Sequence, residues 1–538
     1  MKTVTRIFAI VLVLGLVFGF MPADSVKAGT TVNIVTPGSP DWFFYNDNGT
    51  TGDWYATFEV GPGTTPPLGI GSATIELNSA LGGIILATQK YQAVRLADIK
   101  ALRYSTYTNL PVAAMTFQIN YDPDVTTVEE GTWYGRLTYE PYMSGTVTAG
   151  TWQTWDMIAS GAKWWASSNG ASPVDDVCGQ GNPCTIETLL AAFPNIGVRN
   201  DTLSGIGFKA GSNWNGFAGN IDNFVITTGG NTAIYDFEPL TTAYVDDSWS
   251  AVALGTDPDG AGPAMKYGFD SFDSITEGID AVISGGSVNV AAGSYNEPSF
   301  EINKSVLVLG PNAGIPGNGT RTDEAVVFYG TEWYGIDVLS EGVTIDGLKF
   351  DGTSLTPDGY SVGIAGDAGN LIIQNNVFVN HEYISIMTSG VYFDGVWKYD
   401  KYLSDVQLKN NYITSSTLST SPYNFGIYAQ STLATISGNV VTNMRNGIQV
   451  QPYKAPGVGQ VTGNTFEGYR TGVYFNYTEV ASANWIFENN MIRGIAYPSG
   501  LTADRFNAIR VETFYAGNVI FEDNQILTGS TNATSIYQ

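Results

Sequence analysis

The sequence predicts an all-β chain in two parts, a β-sandwich followed by a solenoid of stacked coils, and three observations carry that prediction. Between residues 31 and 240, short alternating runs such as Ala113–Ile119 and Arg136–Tyr139 are punctuated by Gly and Pro, the pattern of half-buried strands in packed sheets. From Ala243 the texture changes to one helix-spaced stretch and then to repeated apolar strands. In that second part Gly347, Asn376, Asn411, Asn439, Asn464, Asn490 and Asn524 recur at turns with spacings of 29, 35, 28, 25, 26 and 34 residues. A 25-residue minimum coil that tolerates insertions is the signature of a solenoid.

Composition narrows the function classes. The 538 residues carry 24 Lys and Arg against 50 Asp and Glu, a net charge of −26, which repels polyphosphate and excludes nucleic acid as a main partner. One His and two Cys exclude sites needing two imidazoles and four-ligand Cys/His zinc. A hydrophobic content of 43% is enough to fill large cores.

Residues 1–28 read as a signal peptide: Lys2 and Arg6 precede an apolar run from Ile7 to Phe20, with small residues at Val26 and Ala28. Its removal leaves 21 basic against 49 acidic residues, or −28. The expected product is secreted, extracellular or held at the cell surface, with no transmembrane segment after signal removal. Cys178 and Cys184, in Cys-Gly-Gln-Gly-Asn-Pro-Cys, then read as a local disulfide.

Residues 29–240 form the predicted sandwich. Eight of the twelve Trp lie there, and one helical interruption is expected from Thr185, which can cap, to Phe193, with Pro194 as the stop. The closing segments Gly207–Gly211 and Gly219–Ile226 resemble the last strands of jelly-roll carbohydrate-binding modules and laminin-G-like sandwiches. That resemblance implies sugar binding, and it places Asp222 where some such modules hold a structural calcium.

Residues 241–274 read as a linker and entry to the solenoid, and 275–538 as the solenoid itself. The amphipathic stretch Ile275–Val282, followed by the strand and Gly-Ser-Tyr turn of Gly285–Tyr295, resembles the N-terminal cap of right-handed parallel β-helix proteins of the pectin-lyase-like superfamily. Each coil ends in Gly-Ile-x-Val or an equivalent: Val362–Ala365, Ile384–Met387, Gly426–Ala429, Gly447–Val450, Gly472–Phe475 and Ala508–Val511. The recurrent asparagines are expected to form a structural ladder of side-chain amides.

Alternation turns the middle residue of each such strand outward, giving Ala365, Ser385, Tyr428, Gln449, Tyr474 and Arg510, with Met387, Gln430, Gln451, Asn476 and Glu512 two residues on. With strands about 4.8 Å apart, this is an aromatic and amide stripe long enough for several sugars. Tyr428, Gln449, Gln451, Tyr474, Asn476 and Arg445 are the expected substrate-binding residues. The resemblance implies a substrate groove on this same sheet. Between Ala434 and Glu512 six basic residues face five acidic ones, so an anionic glycan would not be repelled there.

The leading expectation is a protein that binds extracellular polysaccharide, with cell-wall or surface-layer components as further partners. The enzymatic alternative is a pectate-lyase-like polysaccharide lyase. It needs a neutraliser for the uronate carboxylate, a base and a proton donor, roles that Arg470, Arg510 and Tyr474 would fill, with Asp394 and Asp400 holding calcium. The pectin hydrolases of this fold require clustered aspartates and a Gly-His-Gly. Here the only histidine is His381 in Asn-His-Glu, and the alignment above puts no aspartate in the outward stripe. His381 with Glu382 is the remaining candidate acid/base pair. A third reading is a structural surface-layer or adhesin segment. The last coil lacks an amphipathic cover, so either the natural product continues beyond Gln538 or Ser530–Gln538 folds over the end.

Overall fold

The computed structural model describes residues 29–527 and 533–537, apart from positions 38, 40, 51, 63–64, 112, 128–131, 168–171, 201–204, 212, 331–333, 356–360, 390–391, 394–395, 398–401, 417, 453–454, 479–482, 496–505 and 515–517. The expected signal peptide therefore lies outside the described residues. The chain divides into two compact units that meet in sequence between Glu238 and Pro239.

The first unit is built from two sheets. In one, Thr30–Val35, Asn231–Phe237, Ala218–Thr228, Gly71–Leu77 and Trp54–Val60 lie side by side, with Ile99–Thr108 also pairing Ala218–Thr228. In the other the order is Trp164–Ser167, Arg136–Tyr139, Thr116–Asp122, Ile206–Gly211, Gly83–Thr88, Trp42–Asn48. Alternation along these strands sends Phe117, Ile119, Leu137, Trp164 and Phe208 into a single core, all fully buried. Trp42 anchors it, stacked on Phe208 at 6.0 Å and edge-on to Phe237 at 5.1 Å. The helix forms at Ile186–Ala192, with the Thr185 hydroxyl accepting the Thr188 amide, and Cys178 is bonded to Cys184.

Asp222 does not have the open carboxylate that a calcium ligand needs. It is fully buried, and its two oxygens accept the backbone amides of Leu68 at 2.8 Å and Phe237 at 3.2 Å, tying the strand to its neighbours. Burial, offset in part by those amides, pushes its pKa up to about 7.

The second unit is a solenoid of three parallel sheets. The first sheet stacks Thr242–Val245, Gly286–Val290, Val306–Leu309, Thr344–Asp346, Ile372–Gln374, Leu403–Lys409, Thr432–Ser437, Gly457–Thr462, Ala483–Glu488 and Asn518–Glu522. Stacking thus starts at Thr242, inside the segment read as a linker. The second sheet includes Lys349–Asp351, Val377–Val379 and Tyr412–Thr414. The third runs from Phe300–Ile302 through Tyr334–Val338, Val362–Gly366, Ile384–Ser389 and Phe425–Gln430 to Phe506–Phe514 and Ala533–Tyr537, and the long strands Val440–Gln451 and Thr465–Thr478 each pass from the second sheet into the third. The final segment, expected to fold over the end, instead adds a parallel rung at Ala533–Tyr537.

The helix Ile275–Ala281 lies over the start of the solenoid. Ser274 caps it, and the Glu297 carboxylate accepts the Ile275 amide at 2.6 Å and the hydroxyls of Ser274 and Thr276. Gly278 is required by close approach: a Cβ there would stand 2.7 Å from Val245 Cγ2.

The asparagine ladder fixes the register. The Oδ1 of Asn439 accepts both the backbone amide and the Nδ2 of Asn411, while its own Nδ2 donates to the Leu408 carbonyl at 2.7 Å and to Asn464 Oδ1 at 3.0 Å. The same pattern links Asn376, Asn411, Asn439, Asn464, Asn490 and Asn524. The residue before each one takes a left-handed backbone, at Asn375, Asn410, Gly438, Gly463, Asn489 and Asp523. Gly347 belongs to that left-handed column. It is Leu348 that occupies the ladder position, its amide donating to Asn376 Oδ1, so the sequence alignment was one residue early at this coil.

Core stacks run beside the ladder, Phe350 on Phe378 at 5.0 Å and Phe487 on Phe521 at 4.7 Å. His381 is part of this interior. It packs against Tyr329 and Phe378, each ring 5.8 Å away, is 2% exposed, and neither ring nitrogen has a hydrogen-bond partner. Burial drives its pKa down to about 4 despite the charge of Asp351. Glu382 points to solvent. The expected acid/base pair does not form, because the turn carries the imidazole inward between aromatic rings.

Two outcomes follow. Asn439→Ala removes an acceptor for two donors and a donor for three acceptors, nearly all buried, so it is expected to lower the unfolding free energy by about 1–3 kcal/mol, read as a lower urea midpoint. A neutral buried His381 stabilises fully above its unfolded pKa of about 6.5, and that contribution, roughly 3 kcal/mol, is lost as pH falls towards 4. His381→Leu should therefore show a shallower loss of melting temperature between pH 6.5 and 4 than the parent chain. Parallel curves would contradict the assignment.

Candidate functional site

The third sheet's outer face follows from its register. Ile336, Ile364, Ile386, Ile427, Ile448, Val473 and Ile509 pair rung to rung and point into the core. The residues after them form an outward column: Asp337, Ala365, Met387, Tyr428, Gln449, Tyr474 and Arg510. Met387 takes the place expected for Ser385, which aligns with Gly426 and is buried. Two residues further on, Ser389 aligns with Gln430 and Gln451, and Asn476 with Glu512.

Towards the later coils this face is a hydrogen-bonded aromatic and amide layer in which Ser389, Gln430, Gln449 and Gln451 are buried and Tyr428 and Tyr474 half-buried. Phe425 stacks on Tyr428 at 5.7 Å; the Tyr428 hydroxyl donates to Gln451 Oε1, and Ser389 Oγ donates to Gln430 Oε1 at 2.9 Å. Gln449 Nε2 lies 3.5 Å from the same Gln451 oxygen. The Tyr474 hydroxyl donates to Glu512 Oε2 at 2.7 Å, and the Arg510 guanidinium pairs with Glu512 while lying 4.8 Å from the Tyr474 ring centre. Burial and the bond to Glu512 push Tyr474 up to about 12. Burial alone would raise Glu512, but Tyr474 and the charges of Arg510 and Arg470 hold it low.

The residues named for lyase chemistry are therefore adjacent, with Tyr474 and Arg510 both engaged by Glu512 and Arg470 within its field. Arg445 stands at the corner before the third-sheet strand. Its backbone amide donates to Asn424 Oδ1 at 2.6 Å and its guanidinium to the Thr420 carbonyl, away from the outward column. Arg493 is paired with Glu467 at 3.2 Å. Asp394 and Asp400 lie outside the described residues. Among the described residues no group of three or more His, Cys, Asp or Glu is arranged to hold a metal ion.

The early coils carry acids that the sequence alignment missed. Asp337 is the third residue of Gly335-Ile336-Asp337-Val338, the same motif one coil before the first one counted, and it lies in the outward column opposite Glu301 on one side and Ala365 on the other. The outward stripe therefore does contain an aspartate. Asp337 Oδ1 is buried and has no hydrogen-bond partner, and burial, with help from Glu301, raises its pKa to about 7. Asp367 sits two residues beyond Ala365 on the next rung, its amide bonded to the Val338 carbonyl at 2.9 Å. Burial first, and then the charge of Asp337, raises it to about 8. One rung of about 4.8 Å and two residues of about 3.3 Å each put the two backbones roughly 8 Å apart.

Residues 334–508 match the family model described as a right handed beta helix region. No curated protein sequence matches the chain. Among solved structures, the catalytic domain of a GH87 alpha-1,3-glucanase, variant D1068A in complex with tetrasaccharides, is similar at 11% identity and a TM-score of 0.27, covering 92% of this chain and 98% of that one. The catalytic unit of a thermostable GH87 alpha-1,3-glucanase from Streptomyces thermodiastaticus strain HF3-3 gives 11% and 0.21, with 92% and 96% covered, and the Agl-KA catalytic domain 9% and 0.17, with 91% and 98% covered. At such identities and TM-scores these likenesses carry no functional weight, while the parallel coils of residues 334–508 lie within the region similar to right handed beta helix proteins.

Proposed function

We propose that the protein is exported and binds an extracellular polysaccharide along the outer face of the third sheet, with the sandwich, read as a jelly roll, as a second glycan-binding part. The observation that carries this is the in-register column Met387, Tyr428, Gln449, Tyr474 and Arg510 beside Ser389, Gln430 and Gln451. It offers the half-buried rings of Tyr428 and Tyr474 to sugar C–H surfaces, held in place by a buried layer of hydrogen-bonded amides beside them.

A second reading is favoured by Asp337 and Asp367. A carboxyl titrating near 8 is protonated at neutral pH and can donate to a leaving glycosidic oxygen, and one titrating near 7 is partly ionised and can take a proton from an attacking water. With their backbones roughly 8 Å apart on one sheet face, the two carboxyls would flank a glycosidic bond in an inverting hydrolysis. In that step the water oxygen bonds to the anomeric carbon, the glycosidic C–O bond breaks, Asp337 gains the water proton and Asp367 delivers its own. The acidic patch also disfavours a uronate at the cleavage point. A lyase draws less support, because Tyr474 and Arg510 are already held by Glu512.

Tyr428→Ala with Tyr474→Ala is expected to weaken polysaccharide binding at least tenfold, about 1.4 kcal/mol, in isothermal titration with an unchanged circular dichroism spectrum. Wild-type affinity in that double variant would contradict the binding reading. For the hydrolytic reading, reducing-end release from neutral glycans should peak between pH 7 and 8, with Asp337 ionised above the lower limb and Asp367 protonated below the upper one, and Asp337→Asn or Asp367→Asn should abolish it. Turnover unaffected by either change would retire that reading.

A further inference from the structure

We infer that the outer face of the sandwich's second sheet is a separate glycan-binding site, a polar trough formed by Gln118, Thr138, Trp165 and Arg136 that takes the hydroxyl edge of a sugar ring. The inference rests on the reading of the sandwich as a glycan-binding part and gives that reading a location.

The geometry starts from alternation. Phe117, Ile119, Leu137, Tyr139 and Trp164 fill the core, which turns Gln118, Thr138 and Trp165 to the other side. Register then puts these three directly across adjacent strands, Trp165 opposite Thr138 and Thr138 opposite Gln118. Cross-strand neighbours have Cβ atoms about 5 Å apart, and Arg136 projects from the same side two residues before Thr138. All four present a buried polar atom with no hydrogen-bond partner: Gln118 Oε1, Thr138 Oγ1, Trp165 Nε1 and Arg136 Nε. Native proteins leave few such atoms unpaired, and four on one patch of one sheet face mark a place where partners are to be supplied from outside.

The same row continues from Gln118 to Gly207, Ala87 and Phe43. Two side-chain-poor positions therefore separate the polar atoms from an aromatic ring that is 39% exposed. Gly207 is fixed by the backbone, since a Cβ there would lie 2.7 Å from the Leu86 carbonyl oxygen. Asp47 bridges the face, accepting from Arg136 Nη1 at 3.0 Å and Nη2 at 2.5 Å and from Lys209 Nζ at 2.5 Å. This bridge, together with Tyr45, which is also hydrogen-bonded to Arg136, holds the guanidinium in place, and Nε is left without a partner.

The chemistry selects the ligand class. The patch offers an acceptor at Gln118, two N–H donors at Trp165 and Arg136, and a Thr138 hydroxyl that does both. Vicinal sugar hydroxyls, each a donor and an acceptor, match that set, and the C–H face of the same or the next ring reaches the Phe43 plane. An anion would meet the Gln118 carbonyl oxygen and the Asp47 carboxylate, and a cation would meet two N–H donors.

The test uses the full chain in native affinity electrophoresis through gels containing soluble β-glucan, α-glucan, xylan, pectin or alginate. Gln118→Leu with Trp165→Phe is compared with Tyr428→Ala with Tyr474→Ala and with all four changes together. Retardation that persists in the tyrosine pair, weakens about tenfold in the sandwich pair and vanishes with all four supports the site. Retardation abolished by the tyrosine pair alone, with the sandwich pair behaving as wild type, overturns it and leaves the third-sheet reading standing. No retardation of the parent chain on any gel overturns both. Gln118→Leu alone should melt at or above the wild-type temperature, because no hydrogen bond is lost; a lower value would mean that Gln118 already has a partner, and would overturn the proposal.

Discussion

The solenoid depends on stacking coils of unequal length without loss of register, and the asparagine ladder enforces this. An amide at each turn joins the coil before it and the coil after it, satisfying buried backbone groups as it does so. Insertions between the ladder position of one coil and that of the next can then vary by ten residues, with the strands beside the ladder kept in register and the irregularities confined to bulges such as Leu403–Val406. Since a slip of one residue would reverse inside and outside along a strand, the ladder also determines which side chains reach the outer face of the third sheet.

That face is graded. Its early rungs carry Asp337 and Asp367, partly enclosed acids that burial and neighbouring charge keep from ionising easily, with Glu301 exposed beside them. Its later rungs carry Tyr428, Gln449, Gln451 and Tyr474, tied to one another or to Glu512 and Arg510. Carboxyls with raised pKa weaken the fold as pH rises through their titration. A fold that retains such groups on one outward sheet face, while its interior ladder is fully satisfied, concentrates its electrostatic cost where a ligand would lie.

Much of this was legible in the residues. The Asn spacing, the helix capped at Ser274 and the Cys178–Cys184 pair are local signals, each read from a short window, and each formed. What failed was counting and burial. Gly347 resembled a ladder residue because glycine takes the left-handed turn that precedes Leu348, and Ser385 stands where other coils have glycine, which hid the place of Met387. Asp337 precedes the first turn of the asparagine series and so carries no ladder signal, although Gly335-Ile336-Asp337-Val338 repeats the coil motif. His381 was misread because a polar residue in a turn gives no sign that its ring is packed between Tyr329 and Phe378. The unpartnered row on the sandwich needs cross-strand register over three strands, which no single window contains.

The central claim is that the third sheet's outer face receives a glycan, and a crystal structure of the full chain with a soluble oligosaccharide bound tests it most directly. The account predicts sugar rings lying along the stacking direction over Tyr428 and Tyr474, with the chain continuing towards Asp337 and Asp367. An oligosaccharide seated only on the first or second sheet, with the third-sheet face empty, would contradict it.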